Sequence, residues 1–298
     1  MDRSLELLQR RLGNLKVTLD SSYRAVWVEF DYNGRPCFST ELLEDVSKTQ
    51  RAIRHAVYAG YREKDPDRLL FQVLASVDRS VFSLGGDLKY FIECIEAGDR
   101  VSLQAYGELC VDIQYATATH YHVPFTTIAL VEGEALGGGF EAVLSANVLI
   151  AERRARFGFP EITFGMFPGM GAISLLTRKV APAVAKRLIM DHRIYSATEL
   201  YDMGILDVLA ADGEGRAATM EYMQRHMALL QGYHGFQAAT DRVLPLGHSE
   251  LADVVSLWVD AAMQLSEKNL RLMKYFARAQ EDRNLAEDIV ADSASKTA

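Results

Sequence analysis

Three consecutive glycines, Gly137-Gly138-Gly139, stand between a strand-like run and a helical one, and they constrain this chain more than any other feature. The run before them, Phe125-Thr126-Thr127-Ile128-Ala129-Leu130-Val131, has the length and β-branched content of a buried strand, with Pro124 at its start. The run after them, from Phe140 to about residue 146, reads as a helix. Glycines at such a junction permit a sharp turn without Cβ clashes and let a ligand come close to the main chain. The first N–H groups of a helix lack internal partners and lie at the positive end of its dipole. A carbonyl oxygen gaining negative charge would be stabilised there. A tight turn with no ligand is the alternative reading.

The same strand–turn–helix grammar recurs. Ala25-Val26-Trp27-Val28-Glu29-Phe30 reads as a strand, followed by a turn at Asn33-Gly34 and a helix over 40–61. Asp65-Pro66-Asp67 breaks that helix before a buried strand over 69–75. Ser83-Leu84-Gly85-Gly86-Asp87 is a second glycine turn, leading into a helix over 88–96 and a longer one over 101–121. A further strand covers 148–151. Strands alternating with helices predict an α/β layered core. Beyond residue 169 the chain reads mainly helical, at 170–179, 182–190, 197–203, 214–231, 249–265 and 267–281, with a short strand at 205–209. The division expected is an N-terminal helical extension over 1–23 (helix over 3–14), a core over 24–210, a helical region over 211–290 and a frayed tail over 291–298.

Composition excludes several function classes. With 298 residues, 49% of them hydrophobic, the chain can bury one large core or two modest ones. A net charge of −8 disfavours nucleic acid as a partner. The longest stretch without Asp, Glu, Lys or Arg, residues 113–131, is interrupted by His120, His122 and Pro124, so neither a membrane-spanning helix nor membrane insertion is expected, and Leu5, Leu8 and Leu12 give amphipathic spacing unlike a signal peptide. Cys37, Cys94 and Cys110 are widely separated and show no ligand spacing, which fits a reduced, cytoplasmic setting. His120 and His122 fit no metal pattern and read as structural, so no metal is expected. Arg153, Arg154 and Arg156, with Arg178 and Lys179, read as solvated surface or as a docking patch for an acidic or phosphate-bearing carrier. Ser83 and Ser174 lack a nucleophile-elbow setting, and the glycine run matches neither a dinucleotide nor a P-loop fingerprint.

Two carboxylates stand in apolar surroundings. Glu141 lies one turn into the helix after the glycines, and Glu161 sits within Phe157-Gly158-Phe159-Pro160-Glu161-Ile162. An ionised glutamate there must find a partner or raise its pKa. Arg153, Arg154 and Arg156 are candidate partners. Without them, two such carboxyls can divide acid and base roles. The two glycine turns could bring two backbone N–H groups onto one oxygen, although Asp87 also serves as an N-cap in its own right. Met166, Phe167 and Met170 suit either a groove for an acyl chain or ordinary core.

Taken together, Phe82 to Leu88, Val131 to Glu141, Phe157 to Glu161 and Phe167 to Gly171 resemble, in order and spacing, the active-site segments of the crotonase (enoyl-CoA hydratase/isomerase) superfamily. The resemblance covers roughly 24–210. It implies a ClpP-like spiral of ββα turns with a helical C-terminal region, assembled as homotrimers or hexamers. It implies an oxyanion hole from the N–H groups of Gly86 and Gly138, and Glu141 and Glu161 as the acid/base pair. Glu161 would face the α-proton and Glu141 the hydroxyl. An acyl pocket would include Leu136, Gly137, Met170 and Trp258. No cofactor is implied, because the substrate is a fatty acyl thioester on the phosphopantetheine of an acyl carrier protein or CoA.

One segment departs from common hydratases. Gly34-Arg35-Pro36-Cys37-Phe38-Ser39-Thr40 replaces a stretch that helps hold the adenine end of CoA in many members. That segment, the Tyr115–Tyr121 region and the block from Glu132 to Pro182 are closely similar to the diffusible signal factor (DSF) synthases of the RpfF type. This implies synthesis of a cis-2-unsaturated fatty acid for quorum sensing, by dehydration of a 3-hydroxyacyl chain on acyl carrier protein and thioester hydrolysis. It also implies a partner in the receiver domain of a sensor histidine kinase. The rivals are a conventional trans-2-enoyl-CoA hydratase or isomerase, and a non-catalytic protein that binds an acyl ligand or the kinase.

Overall fold

A computed structural model of the chain describes residues 13–282. Its larger sheet has six strands: β1 (Leu15–Asp20), β2 (Ala25–Phe30), β3 (Phe71–Ser76), β5 (Thr126–Val131), β7 (Val148–Glu152) and β10 (Val208–Ala210), in that spatial order. Only β1 runs antiparallel to its neighbour; the rest are parallel. A smaller sheet contains β4 (Val81–Ser83), β6 (Glu134–Leu136), β8 (Arg156–Gly158) and β9 (Tyr195–Ser196).

The two sheets together make the expected spiral. Each turn lays one strand in the large sheet, one short strand in the small sheet, and then a helix. β3 and β4 lead to α2 (Leu88–Ala97) and α3 (Arg100–Ala118); β5 and β6 lead to α4 (Gly138–Leu144). β7 and β8 lead to a 3-10 turn, Pro160–Phe164, and then α5 (Ala172–Lys179). The first turn is β2 followed by α1 (Thr40–Arg62), and Phe38 supplies its short rung by bridging in parallel to Gly86. Because β4, β6 and β8 pair in parallel, the segments that follow them emerge side by side. This stacking positions the site.

Local chemistry agrees with these boundaries. Ser39 caps α1 by accepting from the Leu42 N–H, and Asp87 caps α2 by accepting from the Tyr90 N–H. The strands β2, β3, β5 and β7 are buried on both faces, which suits a parallel sheet covered on both sides. One face packs under α1 and α3, through side chains such as Val28, Ile53, Val111 and Leu149, and α10 (His248–Ala262) packs on α3, with Val255 against Gly107. The other face, with Trp27, Phe71, Ile128 and Ile150, packs under Tyr222 and Met223 of α8 (Gly215–Met227).

Several expectations shift. Residues 1–12 lie outside the described residues, so the helix expected over 3–14 lies largely outside them too. Leu15–Asp20, placed within a helical extension over 1–23, is instead strand β1, whose alternating Leu15 and Val17 reach the core. The tail over 291–298 also lies outside the described residues. The helix expected over 214–231 is α8, which ends at Met227, and a further helix, α9 (Leu230–Val243), occupies a stretch where the sequence predicts none. Gly232 and Gly235 weaken the intrinsic helical tendency of α9 and hide it from a reading by pattern. The remaining helices are α6 (Pro182–Met190), α7 (Ala197–Asp202) and α11 (Glu267–Glu281).

Candidate active site

The glycine turns after β4 and β6 meet. A Cβ added to Gly138 would lie 3.2 Å from the Gly86 nitrogen, and one added to Gly85 would lie 3.1 Å from the Gly138 nitrogen. The two amides are therefore neighbours, as a two-donor oxyanion hole requires. The orientation of the 85–86 peptide is held from behind. Phe38 N–H donates to the Gly85 carbonyl at 2.8 Å, and the Tyr106 hydroxyl, itself donating to the Phe38 carbonyl at 2.5 Å, accepts from the Asp87 N–H at 3.4 Å.

Gly137 is glycine for two reasons. Its φ of +52° and ψ of −125° disfavour side chains, and a Cβ there would sit 2.6 Å from Oε1 of Glu161.

Glu141 lies in the first turn of α4 and is 1% exposed. Its Oε1 accepts from the Met170 N–H at 2.9 Å and the Ala172 N–H at 3.0 Å. Burial pushes its pKa up to about 7, against the pull of those two donors. Glu161 lies in the 3-10 turn and is half-buried, yet its carboxyl is hidden and Oε2 has no hydrogen-bond partner. Burial, and then the charge of Glu141, push its pKa up to about 8. The two acids are held in register by aromatic packing: Phe140 stacks on Phe159 at 4.9 Å and tilts against Phe157 at 5.1 Å. One proton shared between two carboxyls in the neutral range is what general acid–base catalysis uses.

Two of the three candidate arginine partners are engaged elsewhere. Arg154 pairs with Glu152 at 2.9 Å, and Arg156 donates to the carbonyls of Ala155 and Arg154, each at 3.1 Å. Arg178, expected at a solvated or docking surface, instead reaches Glu250 of α10 through both its terminal nitrogens. No cation approaches the Glu141–Glu161 pair closely enough to count among the causes of either pKa shift.

Both acids and the two amides open onto one apolar pocket of about 870 Å³, part of it open to solvent. Leu136, Gly137, Met170 and Trp258 line it as well, so the acid/base, oxyanion and acyl-pocket residues that the resemblance implies stand on one cavity; Met166 joins them and Phe167 does not. Trp258 lies against Gly169, where a Cβ would come within 2.4 Å of it, and packs edge-on to Phe91 at 5.1 Å.

Comparison with known proteins bears on this arrangement. The sequence profile of the enoyl-CoA hydratase/isomerase family matches residues 63–245. The chain belongs to that family. It is similar to a probable enoyl-CoA hydratase, echA8, of Mycobacterium leprae, with 33% identity over 55% of this chain and 63% of that protein. It is similar to human enoyl-CoA hydratase domain-containing protein 2, mitochondrial, with 36% identity over 51% of this chain and 49% of that one. The match thus spans about half to two thirds of these relatives' length. Among solved structures, an enoyl-CoA hydratase from Bacillus halodurans superposes with a TM-score of 0.70 at 21% identity, over 88% of this chain and 98% of that one. Pseudomonas aeruginosa DspI superposes with a TM-score of 0.60 at 21% identity, over 89% and 96%. Both share the crotonase fold of this family member.

Some site residues escaped the sequence. Phe91, Met273, Phe276 and Gln280 also line the pocket. The last three come from α11, which the sequence marks only as a helix. Among the described residues, no group of His, Cys, Asp and Glu could hold a metal ion, and no helix is long and apolar enough to cross a membrane.

Proposed function

We propose that this crotonase-family chain adds and removes water across C2–C3 of a fatty acyl thioester, with Glu141 and Glu161 as the acid/base pair. One observation carries this reading. Two buried carboxyls without a cation face the same pocket as two adjacent main-chain amides. A thioester oxygen accepting from Gly86 and Gly138 would draw charge away from C2 and stabilise the enolate that forms there.

The resting protonation suits the hydration direction. Two N–H donors favour the ionised form of Glu141, whereas Oε2 of Glu161 has no donor and the charge of Glu141 favours its protonated form. Glu141 would take a proton from the water that adds at C3, and Glu161 would deliver one to C2. In dehydration the same protons return: Glu161 removes the C2 proton and Glu141 protonates the departing 3-hydroxyl. The division expected from the sequence is retained, and the pair needs only to exchange its proton to run either way.

The finer reading is the DSF synthase: dehydration of a 3-hydroxyacyl chain on acyl carrier protein, then hydrolysis to the free cis-2-unsaturated acid. Its support comes from the segment that departs from common hydratases. Arg35 is locked onto Asp87 by two hydrogen bonds of 2.7 and 2.8 Å, so its guanidinium braces the oxyanion turn instead of awaiting a CoA phosphate. In the second step, water activated by Glu141 would bond to C1 in the same oxyanion hole. The C–S bond would break and the thiol would leave with a proton. Exposed Phe236 and Val243 of α9, with Leu229 just before it, support association of copies of the chain.

The test is product analysis by mass spectrometry with purified protein and matched 3-hydroxyacyl substrates on acyl carrier protein and on CoA, beside a crotonyl-CoA hydration assay. Free 2-enoic acid released from the carrier-protein substrate carries the finer reading. Rapid hydration of crotonyl-CoA with no free acid favours the conventional hydratase. Absence of turnover on all three would leave the binding-protein reading standing.

A further inference from the structure

The two halves of the oxyanion hole are held by different means. On the Gly138 side the main chain suffices: Gly137 N–H donates to the Gly158 carbonyl at 2.8 Å, and the Gly137 carbonyl accepts from Glu141 N–H at 3.1 Å. On the Gly86 side a side chain intervenes from 194 residues away. Gln280, in the last turn of α11 and 4% exposed, donates through Nε2 to the carbonyls of Gly86 at 2.8 Å and Leu84 at 3.1 Å. Its Oε1 accepts from the Leu88 N–H at 3.3 Å.

The pattern of these bonds is specific. The donor N–H belongs to the peptide joining Gly85 and Gly86. That peptide's own carbonyl is taken by Phe38. The carbonyls of the peptides just before and just after it are the two that Gln280 holds. Three successive peptide planes are thereby oriented. The segment needs such restraint, since two glycines, with Gly85 at a φ of +97°, would otherwise let the planes rotate at little cost. α11 also reaches the other half of the chemistry, where Phe276 packs on Phe164 of the Glu161-bearing turn at 5.4 Å.

We infer that Gln280 is a positioning residue for the reaction: its carboxamide aims the Gly86 N–H, so the oxyanion hole is complete only when helix α11 is docked. The inference rests on the oxyanion role proposed above for Gly86. The helical tail then acts as part of the catalytic frame as well as a roof over the acyl chain.

The test uses the full chain and a saturated acyl pantetheine thioester labelled with 13C at the carbonyl, which binds but cannot lose or gain water. Its carbonyl stretching frequency is read by infrared difference spectroscopy. Wild type should lower the frequency on binding. Gln280→Met, close in shape but without the three hydrogen bonds, should lose at least half of that shift. On a turnover substrate its kcat should fall by about tenfold or more, a part of what loss of a whole oxyanion donor costs, while KM changes by less than about threefold. Lys274→Ala, which removes an ordinary surface tie from α11 to Glu96, serves as the control and should leave shift and kcat unchanged. Should Gln280→Met fail to fold, Gln280→Asn, which draws the carboxamide back by one methylene, carries the same test. A full frequency shift in a folded Gln280 variant overturns the inference, as does a loss of shift that Lys274→Ala reproduces. A wild type that binds the thioester with no shift sinks the oxyanion reading itself, and the inference with it.

Discussion

Two sets of buried glutamates in this molecule are treated in opposite ways. Glu29, Glu132 and Glu152, near the C-terminal ends of β2, β5 and β7, are met by guanidinium groups. Arg216 bonds to Glu29 and lies 3.9 Å from Glu132; Arg79 lies 3.5 Å from Glu132; Arg154 lies 2.9 Å from Glu152. Lys16 adds a contact to Glu29 at 3.2 Å, and the Gly215 N–H donates to Glu152 at 3.1 Å. Glu141 receives only main-chain N–H groups, and Oε2 of Glu161 receives nothing. Burial raises the pKa of Glu132 despite its cations, so direction of shift does not separate the sets. Pairing does. A buried carboxylate matched by arginine is tied into the architecture, whereas one left unmatched stays ready to exchange a proton with a ligand.

The contrast can be broken by exchanging roles. Glu141→Gln and Glu161→Gln should each lower kcat by about 10²–10⁴, with melting temperature equal to wild type or higher, since each removes an acid that burial disfavours when charged. Glu152→Gln should leave kcat unchanged. Steady-state kinetics and thermal melts on the three variants check this, and equal kinetic losses at Glu152 would erase the distinction.

The next largest effect is on stability. Arg216→Ala leaves Glu29 and Glu132 short of their shared cation and should cost about 3 kcal/mol, because breaking a buried pair strands a charge. Urea unfolding should show it as a lower midpoint at unchanged slope, with kcat per folded molecule preserved.

The pH dependence of folding should separate the sets further. Glu141 and Glu161 have folded pKa values raised to about 7 and about 8 from an ordinary 4.5. Between those limits the folded chain binds more protons than the unfolded one, so their contribution is full below about pH 4.5 and is lost as pH rises through 7 to 8. Urea midpoints of wild type should decline from pH 5 to pH 8 for this reason, and Glu161→Gln should flatten the decline over about that range. The same pair predicts a bell-shaped kcat/KM profile with its maximum between pH 7 and 8, where one proton is shared.

The smallest effect concerns the pocket wall. Met170→Ala keeps the backbone N–H that serves Glu141 but opens space on the apolar side. Relative kcat/KM for longer against shorter acyl chains should shift by about tenfold, the scale of one or two methylenes in an apolar pocket. A chain-length profile superimposable on wild type would remove Met170 from the pocket's specificity.

Much of the site was legible in the sequence because its signals are local. A glycine turn between strand and helix, an aspartate before a helix and a glutamate one turn past a glycine run all depend on neighbours within a few residues. These signals left a second reading open at each position, and the resemblance of the assembled segments to the crotonase family then singled out Gly86, Gly138, Glu141 and Glu161, all four of which line one pocket. The short strands of the small sheet were not legible. Three residues such as Val81–Ser83 carry no periodicity, and they become a strand only because β6 lies alongside. As a strand, Leu15–Asp20 is masked because Leu15 also continues the helical spacing of the residues before it.

The sequence by itself determined the strand–glycine–helix units and the residues whose chemistry depends on them, since backbone preference and hydrophobic period act over short range. Only the tertiary structure decided which charges would be neutralised, which amides would lie side by side, and that Gln280 would clasp a turn 194 residues away. Those outcomes depend on how successive turns of the spiral stack and where the last helix docks. Contacts between distant segments are set by packing of the whole core, which leaves no mark in the residues on either side of Gln280.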